Sequence, residues 1–191
     1  VSFFRRTRRL QGRPAVSLPP GVADWGRWIE EHLNGPQDRF PTDFRLGPNL
    51  ILGVVGATNI LGFPSGFSNQ ATTTFGIWPA IVRGRAYFRF YLSGDAASSG
   101  NDAEMRFQTS TVYEAKAGGL GAVDHTLTTA VPMPTAAGAL IAPFSPATVW
   151  ADVRDRDHAF GLWINRTNSV SDKYPGAIRL YRVEAYFVPD Y

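Results

Sequence analysis

The chain has 191 residues, of which 44% are hydrophobic, 13% aromatic and only 18% charged, so it can fill a core and is not a disordered polymer. It has no cysteine, which excludes disulfide frameworks, cysteine-zinc sites and thiol nucleophiles together. The net charge of +3 conceals an asymmetry, because residues 1–13 hold five arginines and no acid. The tail, and not the near-neutral body, is therefore the part that would seek an acidic partner.

Residues 1–20 alternate arginine with proline, glycine and glutamine and end in Pro19-Pro20, which reads as an extended arm. Its opening, Val1-Ser2-Phe3-Phe4-Arg5-Arg6, lacks the apolar stretch of a signal peptide. Val22, Trp25, Ile29 and Leu33 then recur at helical spacing with Trp28 alongside, and Asn34-Gly35-Pro36 forms a stop. So short a helix is marginal alone in water and must dock on something. Residues 1–44 are thus expected to be a basic arm and docking helix. Phe3, Phe4, Arg5, Arg6, Arg8, Arg9, Trp25, Trp28 and Ile29 would make the anchor to an assembly.

From residue 45 the pattern has period two. Leu50, Leu52 and Val54 alternate with Ile51, Gly53 and Val55, and a second segment runs from Phe75 to Val82. Arg85 to Leu92 is the clearest strand, with Ala86, Phe88, Phe90 and Leu92 on one face and Arg85, Tyr87, Arg89 and Tyr91 on the other. After a turn cluster at 93–102, Ala103, Met105, Phe107, Thr109 and Thr111 mark the next strand. A weaker, threonine-rich strand follows at 123–131, then a Pro/Ala loop at 132–146. Val149, Ala151 and Val153 open the closing set, with Trp150 and Asp152 facing the other way. Phe160, Leu162 and Ile164 follow, with Trp163 opposed to them. In the last strand, 177–188, the apolar set changes phase between Ile178/Leu180 and Val183/Ala185/Phe187, which predicts a bulge near Tyr181-Arg182. About eight strands at this spacing predict a mainly-β domain over 45–191. The expected form is a two-sheet antiparallel sandwich of jelly-roll type, with a ten-stranded or partly open barrel as the alternative closure.

Catalytic chemistry finds no support in the motifs. Gly62-Phe63-Pro64-Ser65-Gly66 fails the spacing of a nucleophile elbow, and Gly118-Gly119-Leu120-Gly121 lacks the third glycine and the helix of a dinucleotide site. The chain reads as a non-enzyme without a cofactor. Asp152, Asp155, Asp157 and His158 could hold a divalent cation, but Arg154 and Arg156 among them make a solvated hairpin turn the better reading, so no metal site is assigned. Asn165-Arg166-Thr167 has the form of a glycosylation sequon. The outward set Tyr87, Tyr91, Trp150 and Trp163 offers flat faces suited to contact with a glycan or with another subunit. The arm suits phosphate or an acidic protein patch but lacks the features of a sequence-specific nucleic-acid reader. No apolar run is long enough to span a bilayer.

The C-terminal stretch carries a resemblance. Leu162-Trp163-Ile164-Asn165-Arg166 leads to Asp172-Lys173-Tyr174 and then to a strand with Leu180, Val183 and Tyr186. This order resembles a structural module of tailed-phage and gene-transfer-agent virion proteins (tail fibres, head spikes and their relatives). The resemblance implies a jelly-roll sandwich in a virion assembled in the bacterial cytoplasm, with other virion proteins as partners and homo-oligomerisation. The expected function is therefore a virion structural protein anchored through its arm. The alternative is a carbohydrate-binding module that recognises a host surface polysaccharide.

Overall fold

The structure, a computed structural model, describes residues 37–56, 58–76, 84–98, 100–112, 123–144, 149–154 and 159–189. The expected N-terminal helix and the anchor residues Phe3, Phe4, Arg5, Arg6, Arg8, Arg9, Trp25, Trp28 and Ile29 lie outside these residues. In chain order the strands are β1 (Gln37–Arg39), β2 (Arg45–Leu46), β3 (Ile51–Val55), β4 (Thr58–Phe63), β5 (Asn69–Gly76) and β6 (Gly84–Gly94). They continue with β7 (Asp102–Val112), β8 (His125–Pro132), β9 (Leu140–Phe144), β10 (Trp150–Val153), β11 (Ala159–Arg166) and β12 (Ile178–Pro189).

Two antiparallel sheets result. The seven-stranded sheet runs β10-β6-β12-β4-β3, with β1 sharing an edge of β12 and β9 sharing an edge of β6. The five-stranded sheet runs β2-β5-β11-β7-β8. Strand alternation places Ala86, Phe88, Phe90 and Leu92 inside from the first sheet and Met105, Phe107, Phe160, Leu162 and Ile164 inside from the second. Their rings meet across the interface, Phe90 on Phe107 at 4.6 Å and Phe88 on Phe160 at 5.7 Å between centroids. The domain is a β-sandwich.

Several expectations meet the structure directly. The register of β12 against β6 shifts between Leu180 and Arg182, where the phase change predicts a bulge. Of the segment expected as a strand at 75–82, Phe75 and Gly76 close β5, which starts at Asn69, and the remainder lies outside the described residues. The Pro/Ala loop contains β9, which pairs with β6 through Leu92–Ile141 and Ser93–Leu140. Residues 37–44, grouped above with the arm, run into the sandwich, since β1 pairs with β12 through Asp38–Glu184.

At one end of the sandwich a charge is buried. Arg166 continues the inward phase of Leu162 and Ile164 and is fully buried. Its guanidinium meets Asp172 through Nε at 2.7 Å and Nη2 at 3.0 Å. It also donates to the carbonyls of Phe63 at 3.0 Å, Gly176 at 2.6 Å and Tyr174 at 2.6 Å. All five N–H donors therefore have an acceptor, the condition under which a buried guanidinium is tolerated. Phe63 belongs to the seven-stranded sheet and Arg166 to the other, so the clamp joins both sheets and the connection between β11 and β12. Tyr174, held in that connection, donates its hydroxyl to the Ala96 carbonyl at 2.7 Å and accepts from the Ala96 N–H at 2.9 Å. A Cβ on Gly94 would collide with that hydroxyl. Replacing Arg166 with Met strands Asp172 and three carbonyls, and a loss of about 3–5 kcal/mol is expected in urea unfolding. A loss below about 1 kcal/mol would mean that the clamp is not needed.

Candidate functional site

The two outward faces of the sandwich differ in whether their side chains are already occupied. On the seven-stranded sheet, Tyr87, Arg89 and Tyr91 from β6 stand beside Arg182, Glu184 and Tyr186 from β12, as the register dictates. Glu184 is only 6% exposed despite pointing away from the core. It accepts from Tyr91 Oη at 3.0 Å and from Tyr186 Oη, lies 3.8 Å from Arg89 Nη1, and pairs with Arg182. The arginines also cover the rings, Arg182 over Tyr91 at 4.2 Å and Arg89 over Tyr186 at 4.8 Å. This face is closed by its own groups.

Burial, reinforced by the hydrogen bond to Glu184, pushes the Tyr186 phenol up to about 12. The sign follows from the neutral phenol being the form that the fold favours. The folded pKa lies above the unfolded value, so the contribution is complete below about pH 10 and is lost as pH rises toward 12. Stability is expected to fall across that window in the native chain and to fall less in Tyr186→Phe, as read by thermal melts at pH 9 to 12.

Trp150 occupies neither face freely. It stacks on His125 at 4.1 Å between centroids, with Arg85 5.5 Å from its ring centre. Asp152 of the suggested cation cluster is paired with Arg85 at 3.1 Å, while Asp155, Asp157 and His158 lie outside the described residues. Among the described residues no group of three or more His, Asp or Glu side chains is arranged to hold a metal ion.

The outward face of the five-stranded sheet is different. Its registers align Arg45, Thr72, Trp163, Gln108 and Thr126 in one row across all five strands. A second row holds Gln70, Asn165, Arg106 and Thr128, and a third holds Thr74, Gly161 and Ser110. Trp163 is half-buried and stands near the centre of this polar surface. Among the described residues no aromatic ring stacks on its indole and no cation lies over it. Gly161, two residues along the same strand, has no side chain, so the sheet dips beside the indole. The dip opens into a groove of about 750 Å³ lined by Trp163, Gly161, Thr72, Thr74, Gln70 and the β2 segment from Asp43 to Pro48. Threonine hydroxyls and glutamine amides provide donors and acceptors at the rim, and the aromatic provides the apolar patch. That combination suits a small polar ligand with an apolar face.

Two carboxylates border this face, and both are engaged. Asp43 Oδ2 accepts from the Phe40 N–H at 3.2 Å. Glu104 accepts from the hydroxyls of Thr167 and Ser169, which hold its carboxyl below the usual range, with Arg106 nearby adding to the effect.

Of the four aromatics grouped in the sequence, Tyr87, Tyr91 and Trp150 share the outward side of the seven-stranded sheet, Trp150 opposite Tyr87 on the β10 edge and stacked on His125, while Trp163 stands on the other sheet. The polar partners of Trp163 on β5 and β7 escape a sequence reading, although the run Gln70-Ala71-Thr72-Thr73-Thr74 alternates. Asn165 of the sequon is the last residue but one of β11, on this face, with the buried Arg166 next to it.

No protein-family model and no curated protein matches the chain. Among solved structures it is similar to a family 35 carbohydrate binding module from Clostridium thermocellum. The TM-score is 0.55 and the identity 11%, over 80% of this chain and 98% of that one. It is also similar to the CBM22-1 xylan-binding domain of Paenibacillus barcinonensis Xyn10C, with TM-score 0.47 and 9% identity over 81% of this chain and 95% of that one. A third neighbour is the mosquito-larvicidal Cry4Aa toxin of Bacillus thuringiensis, with TM-score 0.49 and 11% identity over 76% of this chain and 22% of that one. What the first of these shares with this chain is the fold, and at 11% identity that likeness establishes a β-sandwich and no more.

Proposed function

We propose that this jelly-roll-type sandwich is a non-catalytic carbohydrate-binding module whose ligand lies across the outward face of the five-stranded sheet. The observation that carries the reading is the indole of Trp163, which no described ring or cation covers, on an otherwise polar sheet face beside the dip at Gly161. A sugar ring has an apolar C–H face and a rim of hydroxyls. The indole supplies the stacking surface, while Thr72 and Gln108 stand one strand away on either side and Gln70 and Asn165 one row further on, placed to bond the rim. The five strands cross the face as a continuous platform, which suits an extended chain of sugars better than a single deep-buried molecule. The likeness to a carbohydrate binding module supports the scaffold, and the site argument stands on the residues themselves.

The virion setting implied by the C-terminal resemblance is a separate proposal. Its residues Arg166, Asp172 and Tyr174 form the clamp described above, which is a folding device and does not point to a particle. The two settings are compatible, since a virion subunit can display a glycan-binding face. Whether purified particles carry the chain tests the virion proposal.

Trp163→Ala is expected to weaken binding to the best polysaccharide found by array or affinity electrophoresis by roughly thirtyfold or more, the effect of truncating a central aromatic anchor. Its melting temperature should stay within a few degrees of the native value, because the side chain lies outside the core. Tyr91→Phe, on the closed face, should leave affinity unchanged. Unaltered binding by Trp163→Ala would remove this face from consideration.

A further inference from the structure

We infer that the ligand of this face is an acidic polysaccharide, one that carries carboxylates along its chain, and that Arg45 and Arg106 recognise them. The inference rests on the carbohydrate-binding reading and adds the charge of the substrate to it. Arg45 ends the row that contains Trp163, two strands away or roughly 10 Å across the sheet. Arg106 stands on the neighbouring strand in the next row, diagonal to Trp163 and opposite Asn165. The strand positions of the two arginines thus lie on opposite sides of Trp163.

Among the described residues neither guanidinium is in an ion pair, although Arg106 lies near enough to Glu104 to help hold its carboxyl low and Asp43 shares the groove with Arg45. Arg45 lines the groove, and among the described residues it has no ion pair. Arg106 is exposed and donates Nε to Thr128 Oγ1 at 3.4 Å, and among the described residues its terminal nitrogens have no hydrogen-bond partner. The carboxylates at the border, Asp43 and Glu104, are turned to their own donors, the Phe40 N–H and the Thr167 and Ser169 hydroxyls. On the closed face the opposite choice is made, for there Arg89 and Arg182 share Glu184. Two guanidiniums without an ion pair among the described residues, near an indole that no described ring or cation covers, attract anions, and their planar forks match a carboxylate in two parallel hydrogen bonds. A neutral sugar would leave both charges without a role in the complex.

The test uses alginate, a polyuronate, against the same polymer with its carboxyls esterified and therefore uncharged, with the native chain, Arg45→Gln/Arg106→Gln and Trp163→Ala. The native chain is expected to bind alginate at least about tenfold more tightly than the ester, with a preference that shrinks as salt rises. Arg45→Gln/Arg106→Gln should lose that preference while keeping the affinity for the ester and the native melting temperature. Trp163→Ala should lose both polymers. Equal binding of the two polymers by the native chain, or a preference that survives the double arginine change, would overturn the acidic ligand while leaving the glycan reading in place. Tight alginate binding that Trp163→Ala retains would mean charge adsorption alone and would overturn both. Binding of neutral polysaccharides only would overturn the inference, and binding of no polysaccharide would overturn the reading beneath it.

Discussion

The sandwich depends on a charge that it has taken inside. Arg166 ends the strand that carries Trp163, and its buried guanidinium satisfies Asp172, two carbonyls of the following connection and one carbonyl of the opposite sheet. A hydrophobic residue there could pack but could not terminate three backbone carbonyls at once. The geometry of the clamp fixes where β11 stops and where β12 starts. It thereby sets the phase of Ile164, Leu162 and Phe160 toward the core and of Trp163 away from it. Tyr174 extends the same arrangement to the Ala96 backbone, against glycines that leave it room. The outward Trp163 and the buried arginine are consequences of one alternation.

The contrast between the faces follows from what each sheet does with its polar groups. On the seven-stranded sheet, opposite charges and phenols are paired across β6 and β12 so closely that Glu184 is buried on an outward face. Such a surface has little left to offer a ligand. On the five-stranded sheet the outward side chains are mainly hydroxyls and amides with two arginines, around one indole. The hydrogen bonds they make with one another are long, from Gln108 to Thr126 and from Arg106 to Thr128 at 3.4 Å, and the groups cost little to keep hydrated when no ligand is bound. Rigidity beneath and uncommitted groups above are the two conditions that a preorganised binding platform requires.

Much of this was legible in the residues. The period-two runs at 85–92 and 103–111 locate the central strands of both sheets and assign their faces, because each strand is half-buried and the alternation is clean. The phase change in the last strand locates the bulge between Leu180 and Arg182. Alternation tells inside from outside, however, and does not tell one sheet from the other. Trp163 therefore reads together with Tyr87, Tyr91 and Trp150 although it stands on the other sheet. Leu140-Ile141-Ala142-Pro143-Phe144 hides β9 because it neither alternates nor lacks proline, and its strand character comes from pairing with β6. The threonine run of β5 hides most of the groove, since its outward and inward positions carry the same residue type. Arg166 was readable in principle: it sits in phase with Leu162 and Ile164, and an in-phase arginine with an aspartate six residues on signals a buried pair.

The most direct test of the central claim, that the Trp163 face is the ligand surface, is a heteronuclear NMR titration of the indole N–H resonances with the tightest-binding oligosaccharide. The account predicts that the Trp163 resonance shifts progressively and saturates, together with backbone amides of β5, β7 and β11, while the Trp150 resonance stays in place. Shifts confined to Trp150, or to β6 and β12 on the closed face, would contradict it.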